Sequence, residues 1–228
     1  MIDYSEKYIP NESEYIKSKI NEILNHPLVT FDNYYWVKHR ERPFNGDGGC
    51  IDLYEDNVEN SVKGLTFIIR MLLKYSPKRI LEIGTNSSSF SLISKLVLDE
   101  VDIYTVDREP NFKPRVDQIN SYFKSNFIHM FIGDSSSDEF LEWSRQNSPY
   151  DFAWIDAKHD YPSVVNDIDV SINCKTPIIG CDDCGILIPT DVYKVVHKLQ
   201  SEGNVSIIDE TSIESSVGAI CILKNNLL

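Results

Sequence analysis

Apolar positions change their spacing along this chain in a regular way. Between about 12 and 25, Ile16, Ile20, Ile23 and Leu24 recur at the interval of a helix's buried stripe, and Pro27 closes it. Val62, Leu65, Ile69 and Leu72 predict a second helix over 59–75, ended by Pro77. From there short apolar runs alternate with helical stripes. Strands are predicted at 79–83, 101–106, 127–132, 151–155, 177–181, 205–208 and 217–222. Phe90, Ile93, Leu96 and Val97 mark a helix, and residues 114–124 and 137–146 predict two more. Another begins near Pro162, a residue suited to a first helical turn, and buries Val164, Val165, Ile168 and Ile172. The last begins near Thr190 and buries Val192, Val195, Val196 and Leu199. The final two strands are joined by a polar segment without helical period, which predicts an antiparallel pair. This alternation predicts an α/β fold: a doubly wound, seven-stranded, mostly parallel sheet with a C-terminal antiparallel hairpin. Parallel strands need cover on both faces, and the helical stripes supply it.

Residues 28–57 break the alternation. Tyr34-Tyr35-Trp36-Val37 is apolar, and the glycine-bearing run Asn45-Gly46-Asp47-Gly48-Gly49 follows. A long glycine-rich segment is either a lid or plain connecting chain. The expected organisation is an N-terminal extension over 1–58 and one catalytic domain over 59–228.

Composition narrows the function classes. Net charge is −13, from 35 acidic and 22 basic residues. That opposes an extended nucleic-acid surface, which needs clustered Lys and Arg, and opposes docking on anionic membranes. The opening Met1-Ile2-Asp3-Tyr4-Ser5-Glu6 lacks the basic and apolar blocks of a secretory signal. No apolar run approaches a membrane span. The five cysteines are scattered apart from Cys181-Asp182-Asp183-Cys184, which fits reduced thiols in the cytoplasm. That pair has the spacing of a redox or zinc motif, but Cys50, Cys174 and Cys221 are isolated, so a coincidence at a strand end is the simpler reading.

Candidate chemistry gathers at strand ends. Phe152-Ala153-Trp154-Ile155 reads as a buried strand, and Asp156, Lys158, His159 and Asp160 follow it. Open α/β sheets place their sites at such ends. Pro177-Ile178-Ile179-Gly180-Cys181 ends likewise in Asp182-Asp183. If the two strands are neighbours, three carboxylates and an imidazole meet, and such carboxylates repel unless a cation neutralises them. The alternative is a pair of solvated turns, where Asp is common. For His159 the alternative is a cap on the following helix.

The first predicted strand leads into Glu82-Ile83-Gly84-Thr85-Asn86-Ser87-Ser88-Ser89. A strand, a turn with glycine and a helix suit a nucleoside. A single glycine disfavours a pyrophosphate. Asp107, ending the second strand, is placed for a ribose diol. Asp134 and Ser135, after Gly133, could hydrogen-bond an adenine, or could cap the next helix.

Leu81-Glu82-Ile83-Gly84, Val106-Asp107, Gly133-Asp134 and Trp154-Ile155-Asp156, in this order, resemble class I S-adenosylmethionine-dependent methyltransferases over about residues 60–223. Ile155-Asp156-Ala157-Lys158-His159-Asp160-Tyr161 with Cys181-Asp182-Asp183 resembles the metal-dependent O-methyltransferases, in particular the group of macrocin O-methyltransferase and cephalosporin-hydroxylase-like proteins. Catechol and caffeoyl-coenzyme A methyltransferases are similar, with Lys where His159 stands. The resemblance implies that Glu82, Gly84 and Ser89 line S-adenosylmethionine. It implies further that Asp107 holds the ribose, that Gly133, Asp134 and Ser135 reach the adenine, and that Asp156 borders the cofactor. Asp156, Asp182 and Asp183 would bind Mg²⁺ or another divalent cation, and His159 would act as base beside Asp156. The acceptor would be a hydroxyl of a small molecule or a sugar, with no nucleic acid and no membrane as partner; homo-oligomers are compatible with it. The serine-rich turn 85–89 departs from the family's glycines. Two other classes stay open: an NAD-type oxidoreductase, and a non-catalytic methyltransferase-like binding domain.

Overall fold

The structure, a computed structural model, describes residues 9, 11–28, 58–184, 190–210 and 219–228. The segment read as lid or connector lies outside the described residues, apart from Leu28. The chain divides into two compact units.

The first unit is helical. It carries α1 (Glu14–Leu24), α2 (Val58–Tyr75), α3 (Ser89–Val97) and α4 (Lys113–Tyr122). Ser13 caps α1 by accepting from the Ile16 N–H. The stripes foreseen in α1 and α2 are buried, including Ile20, Ile23, Val62, Ile69 and Leu72. The Lys19 ammonium donates to the Leu96 carbonyl at 2.9 Å, and the buried Arg115 guanidinium reaches the Leu28 carbonyl.

The second unit carries the sheet: β1 (Arg79–Ile83), β2 (Asp102–Asp107), β3 (Ile128–Ile132), β4 (Phe152–Ile155), β5 (Ile178–Cys181), β6 (Val205–Glu210) and β7 (Cys221–Asn225). Its helices are α5 (Asp138–Gln146), α6 (Tyr161–Asn173) and α7 (Asp191–Ser201). Strand order is β3-β2-β1-β4-β5-β7-β6. The first five run parallel, and β7 pairs antiparallel with both β5 and β6. The order reverses between β1 and β4, which opens a crevice at their carboxyl ends. Leu81, Ile83, Ala153, Ile155, Ile179 and Leu223 of the sheet form one apolar core with Val164, Ile168, Val195 and Val196 of the helices. Ser137, Asp160 and Thr190 cap α5, α6 and α7.

Two features differ from the sequence reading. β7 starts four residues and ends three residues further on than its apolar run suggested. Its last residues are polar, but Lys224 pairs across to Ile178, and the buried Asn225 amide donates to the Thr176 carbonyl at 3.1 Å. The cysteines are not all free thiols. Cys184 and Cys221 form a disulfide, although Cys181 is the residue opposite Cys221 in the β5–β7 register. Cys174 and Cys181 are buried free thiols, and Cys50 lies outside the described residues. Among the described residues no helix is long and apolar enough to cross a membrane.

Candidate active site

Backbone hydrogen bonds stitch the carboxyl ends of five strands into one edge. The Gly133 N–H donates to the Asp107 carbonyl at 2.9 Å, and the Gly84 N–H donates to that of Val106 at 3.0 Å. The Asp156 N–H donates to Ile83 at 2.9 Å and the Asp182 N–H to Ile155 at 3.0 Å. Five of the residues singled out in the sequence, Gly84, Asp107, Gly133, Asp156 and Asp182, thus share one rim.

At the crevice the approach of the chains is close. Gly84 has φ +101°, and a Cβ there would lie 2.0 Å from the Asp156 carbonyl oxygen. No side chain fits, so glycine is needed for packing whatever else passes the turn. Beside it, the hydroxyls of Thr85 and Thr105 share a hydrogen bond of 2.7 Å.

His159 stands between two carboxylates. Its Nδ1 lies 3.0 Å from Asp183 Oδ2, and its Nε2 lies 3.5 Å from Asp156 Oδ1. The second contact is an ion pair rather than a hydrogen bond: Nε2 is buried and has no hydrogen-bond partner among the described residues. Asp156 and then Asp183 raise the imidazole pKa to about 10, against the opposing effect of burial. The ring is therefore a cation at neutral pH. His159 does not cap the following helix. Asp160 does, accepting from the Ser163 N–H at 3.1 Å. Lys158 turns aside to pair with Asp160, and this pair with Ser163 holds the half-buried carboxylate down to about 2.

The acidic pair after β5 is held from several sides. Asp183 adopts a left-handed φ of +55°, a conformation Asp tolerates better than most residues. The Thr190 hydroxyl donates to its carbonyl at 2.7 Å while also capping α7. The next residue, Cys184, donates its N–H to Ala219 at 2.7 Å and carries the disulfide. Burial, Asp156 and Asp183 push the Asp182 carboxyl well above the usual range. Two carboxylates thus flank the imidazole, and Asp182 feels the charge of all three groups. Among the described residues no three His, Cys, Asp or Glu side chains converge on a point that could hold an ion.

The other expected residues divide. Glu82 is buried within β1. Asp107 is part-buried, and its Oδ1 accepts from the Glu109 N–H at 3.0 Å. Asp134 is exposed and does not cap α5, which Ser137 does. It accepts from the Ser136 hydroxyl and N–H at 2.7 and 2.9 Å, and these bonds lower its pKa. Ser135 turns inward and donates to Asp167 at 2.7 Å. Gly133 faces the Phe131 ring, where a Cβ would meet it at 2.5 Å. Ser89 belongs to the first unit, at the first position of α3, and shares a 2.9 Å hydroxyl contact with Ser87. In the serine-rich turn Asn86 and Ser88 take left-handed φ values of 39° and 60°, a conformation glycine adopts more cheaply. Thr190 and Asp167 were not foreseen as part of the site. Thr190 was legible only as a helix start, and Asp167 only as a polar break in an apolar stripe.

The fold is the Rossmann-like fold of methyltransferases. Residues 81–184 match the family model described as a methyltransferase domain. Among solved structures, the chain is similar to the O-methyltransferase TomG of Streptomyces achromogenes, involved in tomaymycin synthesis and solved in complex with SAM. The TM-score is 0.60 at 15% identity, over 98% of this chain and 94% of that one. The O-methyltransferase of Bacillus cereus, in complex with SAH, is similar with TM-score 0.55 and 13% identity, over 97% and 95% of the two chains. An SAH-bound methyltransferase of Podospora anserina gives TM-score 0.58 and 14% identity, over 97% and 92%.

Proposed function

We propose that this chain is an S-adenosylmethionine-dependent O-methyltransferase acting on a hydroxyl of a small molecule or sugar with help from a divalent cation. One observation carries the reading. A buried imidazole nitrogen with no hydrogen-bond partner among the described residues is fixed at the crevice between β1 and β4, beside the carboxylates that follow β4 and β5. Glu82, Gly84 and Asp156 border the crevice where the cofactor would lie. Asp107 would hold its ribose diol, and loop 133–136 would reach its adenine.

The reaction is an in-line displacement. The acceptor oxygen forms a bond to the methyl carbon, the carbon–sulfur bond breaks, and its electron pair returns to sulfur. The acceptor proton goes to Nε2 of His159, once the ring has lost its own. Asp183 fixes the ring through Nδ1 and so aims Nε2. Asp156, Asp182 and Asp183 offer hard oxygen donors that suit Mg²⁺ in kind, and their mutual crowding is an electrostatic reason for a cation there. When bound, such a cation supplies positive charge that lowers the acidity threshold of a substrate hydroxyl and of the imidazole.

Titration calorimetry with S-adenosylmethionine and S-adenosylhomocysteine, with NAD as control, tests the cofactor. Methyl release to a panel of diols tests the activity. Asp107→Ala is expected to weaken cofactor binding by about 1.5–3 kcal/mol, the scale of a hydrogen bond to a charged group. Unchanged affinity would leave Asp107 as a turn residue only.

A further inference from the structure

The buried face of α6 contains one carboxylate. Val164, Ile168 and Val170 are apolar neighbours on that face, yet Asp167 among them is 1% exposed. Burial pushes its pKa up to about 6, and the bonds from Ser135 and Asn166 oppose the shift. A buried carboxylate is costly, and an apolar residue of similar size would serve the core at least as well. Its partners explain the choice. Asp167 Oδ1 accepts from the Ser135 hydroxyl at 2.7 Å and from Asn166 Nδ2 at 3.1 Å. The same Asn166 nitrogen donates to the Ser135 carbonyl at 3.1 Å. Ser135 is thus gripped by side chain and backbone together, from adjacent residues of one helix. Asp134, next to it, is left to organise the rim through Ser136.

We propose that Asp167, with Asn166, is a positioning residue that sets loop 133–136 against the base of the nucleoside cofactor. The inference rests on the methyltransferase reading, in which that loop faces the adenine. It reassigns Ser135 from ligand contact to anchor. It also makes α6 the common support of two parts of the site, because its capping residue follows His159 directly.

The test compares wild type, Asp167→Ala, Asp167→Asn, Asn166→Ala and Ser135→Ala by calorimetric titration with S-adenosylhomocysteine and with S-inosylhomocysteine. Asp167→Ala is expected to bind S-adenosylhomocysteine about 10-fold or more weakly, the scale of one lost charge-assisted hydrogen bond. Its preference for the adenine over the hypoxanthine ligand is expected to narrow. Asp167→Asn, which keeps an acceptor oxygen, is expected to recover part of the loss. Adding Ser135→Ala to Asp167→Ala is expected to cost nothing more, because both break one contact. Amide hydrogen exchange without ligand should quicken at 135–137 and not across β4. Should Asp167→Ala not fold, Asn166→Ala and Ser135→Ala carry the same expectation. Wild-type binding with unaltered affinity in the folded variants would overturn this proposal alone. No binding by wild type would overturn the cofactor reading and this proposal together.

Discussion

Replacing His159 by alanine is expected to lower kcat by about 10²–10⁴-fold while leaving S-adenosylmethionine affinity nearly unchanged, the range for loss of a positioned base. The geometry separates the two effects. The ring touches Asp156 and Asp183, not the ribose or adenine side of the rim. Lys158→Ala is the control, because Lys158 pairs with Asp160 and faces away. If Lys158→Ala abolishes transfer and His159→Ala does not, the base has been misassigned. The pH dependence has a definite sign. The folded pKa of His159, about 10, is raised above its ordinary value of 6.5. In protein held in chelator, its contribution to stability is full below pH 6.5 and is lost as pH rises toward 10. Denaturant melts over that range should show the decline in wild type and a flatter profile in His159→Ala. The neutral ring is the base, so the rate of the metal-supplied enzyme should rise with pH through the ring's ionisation, and that limb should be altered in His159→Ala.

Chelation is expected to bring methyl transfer to background, and Mg²⁺ or Mn²⁺ to restore it. Asp182→Ala and Asp183→Ala should each mimic chelation, with cofactor affinity largely kept. The reason is charge. Asp182 sits beside Asp156 and Asp183 with its pKa pushed well up, so a cation gains from all three. The imidazolium of His159 supplies one positive charge to this group in the absence of metal. Restored cation would compete with that proton and bring the ring nearer to its working form. Full turnover in excess chelator would falsify the metal assignment, and would leave His159 as the group that balances the carboxylates.

The fold was legible because its signals are local and repeated. The strands are apolar runs, and most helices show a stripe, several with a proline, serine, threonine or aspartate at the start. The strand ends were legible for the same reason, since Asp107, Asp134, Asp156 and Asp182 each stop an apolar run. What each side chain does there was less legible. Asp134 and Ser135 are adjacent and look alike as polar turn residues, but one faces the rim and the other an acid 32 residues away. The roles of His159 and Asp160 were open from sequence until the Ser163 N–H selected Asp160 as the cap. The end of β7 was missed because Lys224 and Asn225 are polar, and only pairing with β5 makes them strand. The disulfide was hidden because its partners are 37 residues apart and meet through antiparallel pairing, which spacing does not encode.

That disulfide changes what kind of object the chain is. Between Cys184 and Cys221 it makes a closed ring that contains α7 and β6. A single peptide-bond cut inside the ring does not divide the protein. It converts one chain into two that stay covalently joined, and they part only when a thiol reductant is added. A nicked sample would run as intact protein on a non-reducing gel while the acidic loop remained leashed to the sheet.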